Sequence, residues 1–198
     1  MKRILLLAIV LMSCIGIMQA SQTGNWKAYM AYSDVQDVEQ GSGNIIYVLA
    51  SNNIYSYNTA DQSILTYDKT NGLSDCNILH ISYNKSAKRL VIVYSNQNID
   101  LMDDKGNVVN ISDYYNSSIT LDKNINDIYQ SLGYAYLRTG FGIVKLNVAN
   151  AEISDTYNLG FKVDYSYMES GYLYAASSTN GIYRALATSN LLDKNNWM

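Results

Sequence analysis

The stretch that decides the fold reads Leu90-Val91-Ile92-Val93-Tyr94-Ser95-Asn96-Gln97-Asn98-Ile99-Asp100-Leu101-Met102. In it, a β-rich run is followed by a polar turn, and an isoleucine opens a second β-rich run. The same turn returns at Ser51-Asn52-Asn53-Ile54, Gly140-Phe141-Gly142-Ile143 and Thr179-Asn180-Gly181-Ile182. The four isoleucines are 45, 44 and 39 residues apart. A repeat of about forty residues that holds about four short strands is typical of a β-propeller blade.

Each repeat predicts the same succession of strands. The first strands alternate apolar and polar residues, as half-buried strands do, and are predicted at Val35–Val38, Ile78–Tyr83, Ile125–Tyr129 and Val163–Tyr167. The second strands are denser in Val, Ile, Leu and Tyr, because neighbouring blades are expected to cover both faces; they are Ile45–Ala50, Leu90–Tyr94, Tyr134–Arg138 and Tyr172–Ala176. Third strands are predicted at Ile54–Tyr57, Ile99–Met102, Ile143–Leu146 and Ile182–Arg184, and outer strands at Ile64–Tyr67, Val108–Ile111 and Ile153–Tyr157.

The repeats also predict how the blades join and where they stop. Asn or Gly precedes each turn isoleucine and is expected to supply a positive φ in the hairpin, while the isoleucine fills the interface between two blades. The fourth repeat offers no convincing outer strand. We therefore predict an all-β fold of about four blades of four antiparallel strands, in an open ring with a truncated fourth blade. Such an arc exposes unpaired strand edges, so we expect the chain to be part of a longer protein or a shortened gene product.

The first twenty residues are predicted to be a signal peptide. Lys2 and Arg3 precede an apolar run that ends at Ile17, and Ala20 ends a plausible cleavage site. The apolar run is shorter than the roughly 20 residues that span a bilayer. Lipidation of Cys14 stays open as an alternative. Residues 21–198 would then form the propeller part of an exported protein, located in the periplasm or at the outer-membrane cell surface.

Composition narrows the classes of partner. The chain carries a net charge of −3, which becomes −5 when the two cations of the signal peptide are removed. A negative surface does not attract phosphate backbones, so we expect no nucleic-acid partner. Cys76 would be left without a second cysteine, which excludes an internal disulfide, and we interpret it as a small buried apolar residue.

The residues that could carry chemistry are few. His80 is the single histidine, which excludes a multi-histidine metal site; we interpret it as a hydrogen-bonded residue of a first strand. The acidic run Asp103-Asp104-Lys105-Gly106-Asn107 lacks the spacing of a calcium loop and is interpreted as a turn. The second acidic cluster, 68–75, contains Asn71-Gly72-Leu73, which is expected to cross from one blade to the next. We therefore expect no catalytic residue, no metal site, no cofactor and no enzyme activity.

The chain is rich in tyrosine, with 19 residues of this type. Most of them fall on predicted strands, where an aromatic ring fills the interface between blades. Tyr114 and Tyr115, in the predicted loop Asp113–Ser118, are the best exposed candidates for stacking against a sugar ring. The residues that bind a ligand, and the ligand itself, remain unknown at this point.

Several short motifs resemble one family over nearly the whole chain after the signal peptide. They are Trp26-Lys27-Ala28-Tyr29, Asn71-Gly72-Leu73-Ser74-Asp75, the stretch from Tyr94 to Leu101, Ile111-Ser112-Asp113, Asn126-Asp127-Ile128-Tyr129, Thr139-Gly140-Phe141-Gly142-Ile143-Val144, and Asn190-Leu191-Leu192-Asp193 with Trp197. The chain thus resembles the N-terminal propeller of PorZ-type proteins of the type IX secretion system. That propeller belongs to the wider group of two-component-regulator propellers found in Bacteroidetes.

The resemblance implies a non-enzymatic accessory or scaffold role. The resemblance also implies that the chain acts in the surface complex that processes secreted cargo and attaches it to anionic lipopolysaccharide. The expected partners are therefore other type IX secretion components and anionic lipopolysaccharide. A second hypothesis is a periplasmic glycan-sensing propeller of a hybrid two-component regulator. A propeller lyase or hydrolase is disfavoured by the scarcity of catalytic residues.

Overall fold

The structure is a computed structural model that describes residues 29–198. It confirms the all-β fold, because four antiparallel sheets stand in an open arrangement with an incomplete last blade. The strands are β1 (Val35–Gln40), β2 (Ile45–Ala50), β3 (Asn53–Asn58), β4 (Ile64–Tyr67), β5 (Ile78–Asn84), β6 (Arg89–Tyr94), β7 (Ile99–Asp103), β8 (Val108–Ile111), β9 (Ile125–Ser131), β10 (Tyr134–Thr139), β11 (Gly142–Asn147), β12 (Glu152–Asn158), β13 (Tyr165–Glu169), β14 (Tyr172–Ser177) and β15 (Gly181–Leu186). A short helix, α1 (Asp113–Asn116), follows β8, and a 3₁₀ turn covers Lys194–Asn196. The predicted signal peptide, Cys14 and the motif residues Trp26 to Ala28 lie outside the described residues.

Every blade is a meander in which each strand pairs with its neighbours in sequence. The predicted strands are found in all four repeats, most of them longer by one or two residues at an end. The first strand of the fourth blade is the exception, since it begins at Tyr165 and not at the predicted Val163. The N–H of Val163 donates instead to the carbonyl of Thr139 in the third blade, at 3.0 Å. Val163 is therefore a link between blades rather than a member of the ladder.

The fourth blade has three strands, as the sequence predicts. The edge of β15 is partly covered by the last residues of the chain. The N–H of Arg184 donates to the carbonyl of Met198 at 2.8 Å, and the N–H of Met198 donates back to Arg184 at 2.9 Å. Trp197 packs its ring against Tyr157 of the third blade, and its indole N–H donates to the carbonyl of Leu191. These contacts fold the end of the chain onto the third and fourth blades.

Three hydrophobic cores lie between successive blades, and the turn isoleucines mark them. Ile54, Ile99 and Ile143 are fully buried in the first, second and third of these cores. The prediction that a turn isoleucine fills a blade interface is confirmed for these three. It is wrong for Ile182, whose residue is 71% exposed. The physical reason is that, within residues 29–198, no further sheet packs on the fourth blade.

A hydrogen bond also recurs at each of the three junctions. The first buried residue of each new blade donates its N–H to the turn of the preceding blade. Ile78 donates to the carbonyl of Asn52 at 2.9 Å, Ile125 to the side-chain oxygen of Gln97 at 2.7 Å, and Val163 to the carbonyl of Thr139 at 3.0 Å. Core and hydrogen bond together fix the spacing of adjacent sheets, so the junction is a repeated structural unit.

The turns reach their shape in two ways. Gly142 and Gly181 have positive φ, as predicted for the residue before the isoleucine. The prediction is wrong for the two asparagines at that place, because the positive φ falls earlier, at Asn52 and Gln97. The preceding asparagine Asn98 uses its side chain instead: its oxygen accepts from the backbone N–H of Ile99. An asparagine can therefore close this turn by hydrogen bonding as well as by backbone conformation.

Candidate interaction surfaces

The structure shows where the residues considered for catalysis or metal binding lie. His80 lies on β5 opposite Val93, as predicted for a first-strand residue. Cys76 is exposed, so its interpretation as a buried apolar residue is wrong. It lies in the crossover between β4 and β5, where the chain runs over the surface. In residues 29–198, no cluster of three or more His, Cys, Asp or Glu side chains is arranged to hold a metal ion.

Tyr114 and Tyr115, the two candidates for stacking against a sugar ring, are adjacent residues of the short helix α1 but differ in burial. Tyr114 points inwards into the core between the second and third blades, so its prediction as an exposed residue is wrong. Its hydroxyl donates to the carbonyl of Lys123 at 2.8 Å, and burial raises the pKa of that hydroxyl. Tyr115 is 49% exposed. A single ring remains at this position, and the pair does not form a platform.

The acidic run after β7 is a turn, as predicted. The Asp103 carboxylate accepts the backbone N–H groups of Lys105 and Asn107, and also the side-chain amide of Asn107. These hydrogen bonds, the Asn107 amide first, lower the pKa of Asp103. Gly106 provides the positive φ that the turn requires. All these interactions stay within the hairpin, so the carboxylate has a structural role.

A buried polar network, which the sequence analysis missed, centres on Asp100. This carboxylate is fully buried on β7. It accepts the Tyr94 hydroxyl at 2.6 Å, the Ser74 backbone N–H at 2.8 Å and the Asn110 amide at 2.8 Å. Ser74 belongs to the crossover from the first to the second blade, so the network fastens that crossover to β6, β7 and β8. The sequence feature that could have predicted this network is a charged residue, Asp100, inside the otherwise apolar run Ile99-Asp100-Leu101-Met102. A buried carboxylate without hydrogen-bond partners would be costly, so partners were to be expected.

The same crossover borders a shallow groove between the first two blades. The groove encloses about 220 Å³, part of it open to solvent, and its lining includes Asn52, Asp68, Asp75 and Cys76. Pockets that hold small molecules usually have volumes of roughly 300 to 1,000 Å³ and are mostly apolar. In this groove, the space that a water molecule could enter is only about 10 Å³, and both polar and apolar side chains, Leu73 and Ile78 among them, line it. Its geometry therefore does not fit an enclosed ligand.

The fourth blade presents a large aromatic face to solvent. We call it the fourth-blade flank, and it consists of the side chains on the sheet face opposite the third blade: Tyr165, Tyr167, Glu169, Tyr172, Tyr174, Ala176, Ile182, Arg184 and Leu186. Tyr167 and Tyr174 stack with ring centroids 4.5 Å apart and planes at 4°. The Arg184 guanidinium lies 4.9 Å from the ring centre of Tyr172. Burial along β14 alternates strictly, whereas nearly all of β6 is buried, because β14 has a neighbour on one face only.

Arg138 joins this flank to the third blade. It is a buried residue of β10, and it forms an ion pair with Asp127 on β9. Its guanidinium also donates to the hydroxyl and the carbonyl of Ser166 on β13, at 3.1 and 3.2 Å. The same group lies 4.6 Å from the ring centre of Tyr165. Arg138 therefore positions the first strand of the fourth blade. Nothing in the sequence distinguished it from other polar residues of alternating strands.

At the other end of the arc, the first blade exposes a second face. We call it the first-blade flank, and it consists of the side chains that point away from the second blade: Val35, Val38, Ile46, Val48, Tyr55, Tyr57 and Ile64. Cross-strand pairing of Val38 with Val48 and of Val48 with Tyr55 places these side chains on one face. Val35, Val38 and Ile64 are exposed, whereas Val48 is buried and the ring of Tyr32 packs edge-on against Tyr55. This face is therefore only partly open to solvent.

Asp164, before the fourth blade, gives a test of acid stability. Its carboxylate accepts the Ser178 N–H at 2.7 Å and pairs with Lys162 at 3.0 Å. The Ser178 hydrogen bond first, and then Lys162, lower the pKa of Asp164 from 3.8 to about 2. Because the pKa is lowered in the folded state, the stabilisation is present above the unfolded value and is lost as the pH falls towards 2.

We expect the Tm of Asp164→Asn to fall less than that of the wild type between about pH 4 and pH 2. The asparagine side chain can still accept the hydrogen bond from the Ser178 N–H, but it cannot titrate. The measurement is thermal unfolding by circular dichroism across this pH range. Asp113→Asn, at an exposed carboxylate on α1, is the matched control and should follow the wild type. An unchanged pH dependence in Asp164→Asn would contradict the prediction.

Residues 46–198 match the model of one protein family, described as the type IX secretion system PorZ N-terminal β-propeller domain. The chain belongs to this family. The match runs from the second residue of β2 through β15, and it includes all three blade interfaces and the turn glycines Gly142 and Gly181. No curated protein matches the chain.

Solved structures agree with the family. PorZ, an essential bacterial surface component of the type IX secretion system of Porphyromonas gingivalis, is 29% identical, with a TM-score of 0.81 over 88% of this chain and 23% of that one. This chain therefore spans about a quarter of that PorZ chain. The extracellular domain assigned to a hybrid two component system of B. thetaiotaomicron is 16% identical, with a TM-score of 0.56 over 76% of this chain and 20% of that one. A computationally designed protein, Ika4, is 8% identical, with a TM-score of 0.58 over 80% of this chain and 95% of that one. The last two show a shared fold alone.

The described residues contain no helix with the length and apolar character needed to cross a membrane. Family and fold together make this protein a propeller related to type IX secretion.

Proposed function

We propose that the chain is a non-enzymatic module of an exported protein that acts as a scaffold in the surface complex of the type IX secretion system. The observation that carries the proposal is the family match over residues 46–198. We further propose that residues 1–20 are removed on export and that the propeller begins after them.

A gene deletion in the source cells tests this role. We expect secreted cargo to remain unprocessed inside the cells and the surface-attached fraction to fall, because the complex would lack one of its scaffold parts. The measurement is immunoblotting of cell fractions for a type IX cargo. Expression of the wild-type gene from a plasmid is the control and should restore attachment. Normal cargo processing in the deletion strain would contradict the proposal.

The contact with anionic lipopolysaccharide needs a separate test. The chain has a net charge of −3, so an attraction between net charges cannot drive this contact. We expect any binding to depend on hydrogen bonds and on stacking of sugar rings against exposed tyrosines, and to change little between low and moderate salt. Calorimetric titration with purified anionic lipopolysaccharide measures this, with lipopolysaccharide lacking the anionic chain as the control. Absence of binding would remove lipopolysaccharide from the list of partners.

The alternative function, glycan sensing by a two-component regulator, shares the fold but has a weaker basis. Its support is the likeness to the B. thetaiotaomicron domain, at 16% identity. The nucleotide sequence downstream of the codon for Met198 separates the two proposals. A second propeller followed by a C-terminal β-domain supports the secretion role, whereas a transmembrane helix followed by a kinase domain supports the sensor.

A further inference from the structure

A pocket opens between the second and third blades, where the β5–β6 and β9–β10 hairpins lie side by side. It is lined by Tyr83, Lys85, Ser86, Gln130 and Leu132. Water molecules can enter about 310 Å³ of this pocket, against about 10 Å³ of the groove between the first two blades. The pocket therefore reaches the lower end of the volumes that hold small molecules, roughly 300 Å³. All five residues belong to two blades that pack on each other, so neither end of the arc forms part of it.

Hydrogen bonds across the blade boundary hold the walls of the pocket in place. The side-chain amide of Asn84, which is fully buried, donates to the side-chain oxygen of Gln130 at 2.8 Å. The Gln130 amide donates in turn to the carbonyl of Ser82 at 3.3 Å. The Tyr83 hydroxyl donates to Asp104 at 2.7 Å. The pocket is thus formed before any ligand enters, which lowers the entropic cost of binding.

Two polar groups of the lining are left for a ligand. Within residues 29–198, Lys85 forms no ion pair and the Ser86 hydroxyl makes no hydrogen bond. Their hairpin also contains Lys88 and Arg89 and no acidic residue, in a chain whose net charge is −3. This part of the surface is therefore suited to an anionic group.

The third feature of the pocket is an apolar side chain in an unfavourable position. Leu132 opens the two-residue loop of the β9–β10 hairpin, is 80% exposed and has a φ of +53°. Glycine and asparagine adopt this backbone conformation most easily, and an apolar side chain gains nothing from contact with water. At the same place in the β13–β14 hairpin, with a φ of +49°, stands the polar Ser170. A local rule that is broken at the rim of a pocket is typical of a contact site.

We propose that this pocket binds the free C-terminus of a peptide whose last residue is aliphatic. The terminal carboxylate accepts hydrogen bonds from the Lys85 ammonium group and the Ser86 hydroxyl, and charge-assisted bonds of this kind are the stronger ones. The aliphatic side chain packs on Leu132 and removes it from water. Capture of a terminal carboxylate is a recurring mode of peptide recognition.

The hydrogen bonds already made in the pocket favour a peptide over an acidic sugar. A sugar ring brings several hydroxyl groups, and each of them needs a partner when it leaves water. The Tyr83 hydroxyl and the Gln130 oxygen are occupied within the protein. The free groups of the pocket therefore match a ligand with one anionic group and one apolar group.

The test is an NMR titration of the purified chain with the peptide acetyl-Gly-Gly-Leu. We expect the backbone N–H signals of Lys85, Ser86 and Leu132 to shift and saturate, with a dissociation constant of about one millimolar or lower. The same peptide with an amidated C-terminus lacks the charge and should bind at least about tenfold more weakly. Equal binding of the two peptides, or no saturation by the acid peptide at about ten times this concentration, would overturn the proposal. Tighter binding of glucuronic acid would also overturn it, in favour of an acidic sugar.

Variants at the two ends of the pocket test the two contacts separately. Lys85→Gln should weaken binding of acetyl-Gly-Gly-Leu roughly tenfold. Lys88→Gln is the matched control, since Lys88 is an exposed cation of the same hairpin that does not line the pocket, and it should bind as the wild type does. Leu132→Asn keeps the positive φ accessible and should weaken acetyl-Gly-Gly-Leu about fivefold but leave acetyl-Gly-Gly-Gly unchanged. Equal losses for both peptides would contradict an apolar contact with Leu132.

Glu39 of β1 provides a variant with the opposite expected sign. Its partly buried carboxylate lies beside Ser82 and interacts electrostatically with Lys85. Glu39→Gln keeps the shape of this side chain but removes a negative charge that competes with the ligand, so binding should become about threefold tighter. Unchanged or weaker binding would mean that Lys85 does not hold the carboxylate and would overturn the proposal. These titrations use the purified chain, so their outcome does not depend on its role in secretion.

Discussion

Replacing Gly142 with alanine is expected to lower the free energy of unfolding by about 3 kcal/mol or more. Gly142 opens β11 with a φ of +155°, a conformation that is close to exclusive to glycine. A Cβ at this position would lie 2.0 Å from the carbonyl oxygen of Tyr157 and 2.9 Å from the backbone nitrogen of Leu159. Both are backbone atoms, so the neighbour cannot rotate away.

The turn cannot move to relieve this clash, because it is held from both sides. The carbonyl of Phe141 accepts the N–H groups of Leu159 and Gly160, each at 3.0 Å. The hydroxyl of Thr139 bonds the N–H of Gly142 and its carbonyl, at 3.1 and 3.0 Å. Alanine must therefore break a strand pair or the turn itself. Domains of this kind have about 5 to 15 kcal/mol of stability, so a large part of it would be lost.

Urea unfolding followed by tyrosine and tryptophan fluorescence measures the effect. Gly133→Ala is the matched control, since a Cβ there meets no atom within 4 Å and its φ is not in the left-handed region. Its midpoint should stay close to that of the wild type. If Gly142→Ala and Gly133→Ala unfolded at the same urea concentration, the close approach of β11 and β12 would not be the constraint described here.

The sequence was sufficient for the architecture because two signals agreed in every repeat. A turn isoleucine marks the junction, and alternating strands mark the sheet. Whether a residue at the end of the arc is buried or exposed was harder to predict from the sequence. Ile182 carries the same local pattern as Ile99, yet one is exposed and the other fully buried. The local sequence pattern predicts the strands of a blade, whereas the burial of its turn isoleucine depends on whether another blade packs against it.

Loop residues were harder to place from the sequence. Tyr114 lies among polar residues, which predicts exposure, but one turn of helix directs its ring into a core between blades. Cys76 is of a type that is often buried, but the crossover that holds it runs over the surface. In both cases, the path of a short connection decides burial, and that path depends on contacts distant in sequence.

A polar residue inside a dense apolar run predicts its own burial better than a loop residue does, and Asp100 is an example. Replacing Asp100 with alanine is expected to cost about 3 kcal/mol of stability, because the buried hydroxyl of Tyr94, the N–H of Ser74 and the amide of Asn110 would all lose their acceptor. Burial, followed by the hydrogen bond to Asp100, raises the pKa of Tyr94. The hydroxyl therefore stays protonated and donates throughout the ordinary pH range.

Graded substitutions separate this network from a general loss of packing. Tyr94→Phe removes a single donor and should cost about 1 kcal/mol. Asp100→Asn keeps the shape but has one acceptor oxygen instead of two, so its cost should lie between those of Tyr94→Phe and Asp100→Ala. Asp113→Ala, at an exposed carboxylate, is the control and should change stability by less than about 0.5 kcal/mol. Urea unfolding gives the four values. If Asp100→Ala were as stable as the wild type, the carboxylate would not fasten the crossover to the second blade, and the Asn71-Gly72-Leu73-Ser74-Asp75 motif would need another explanation.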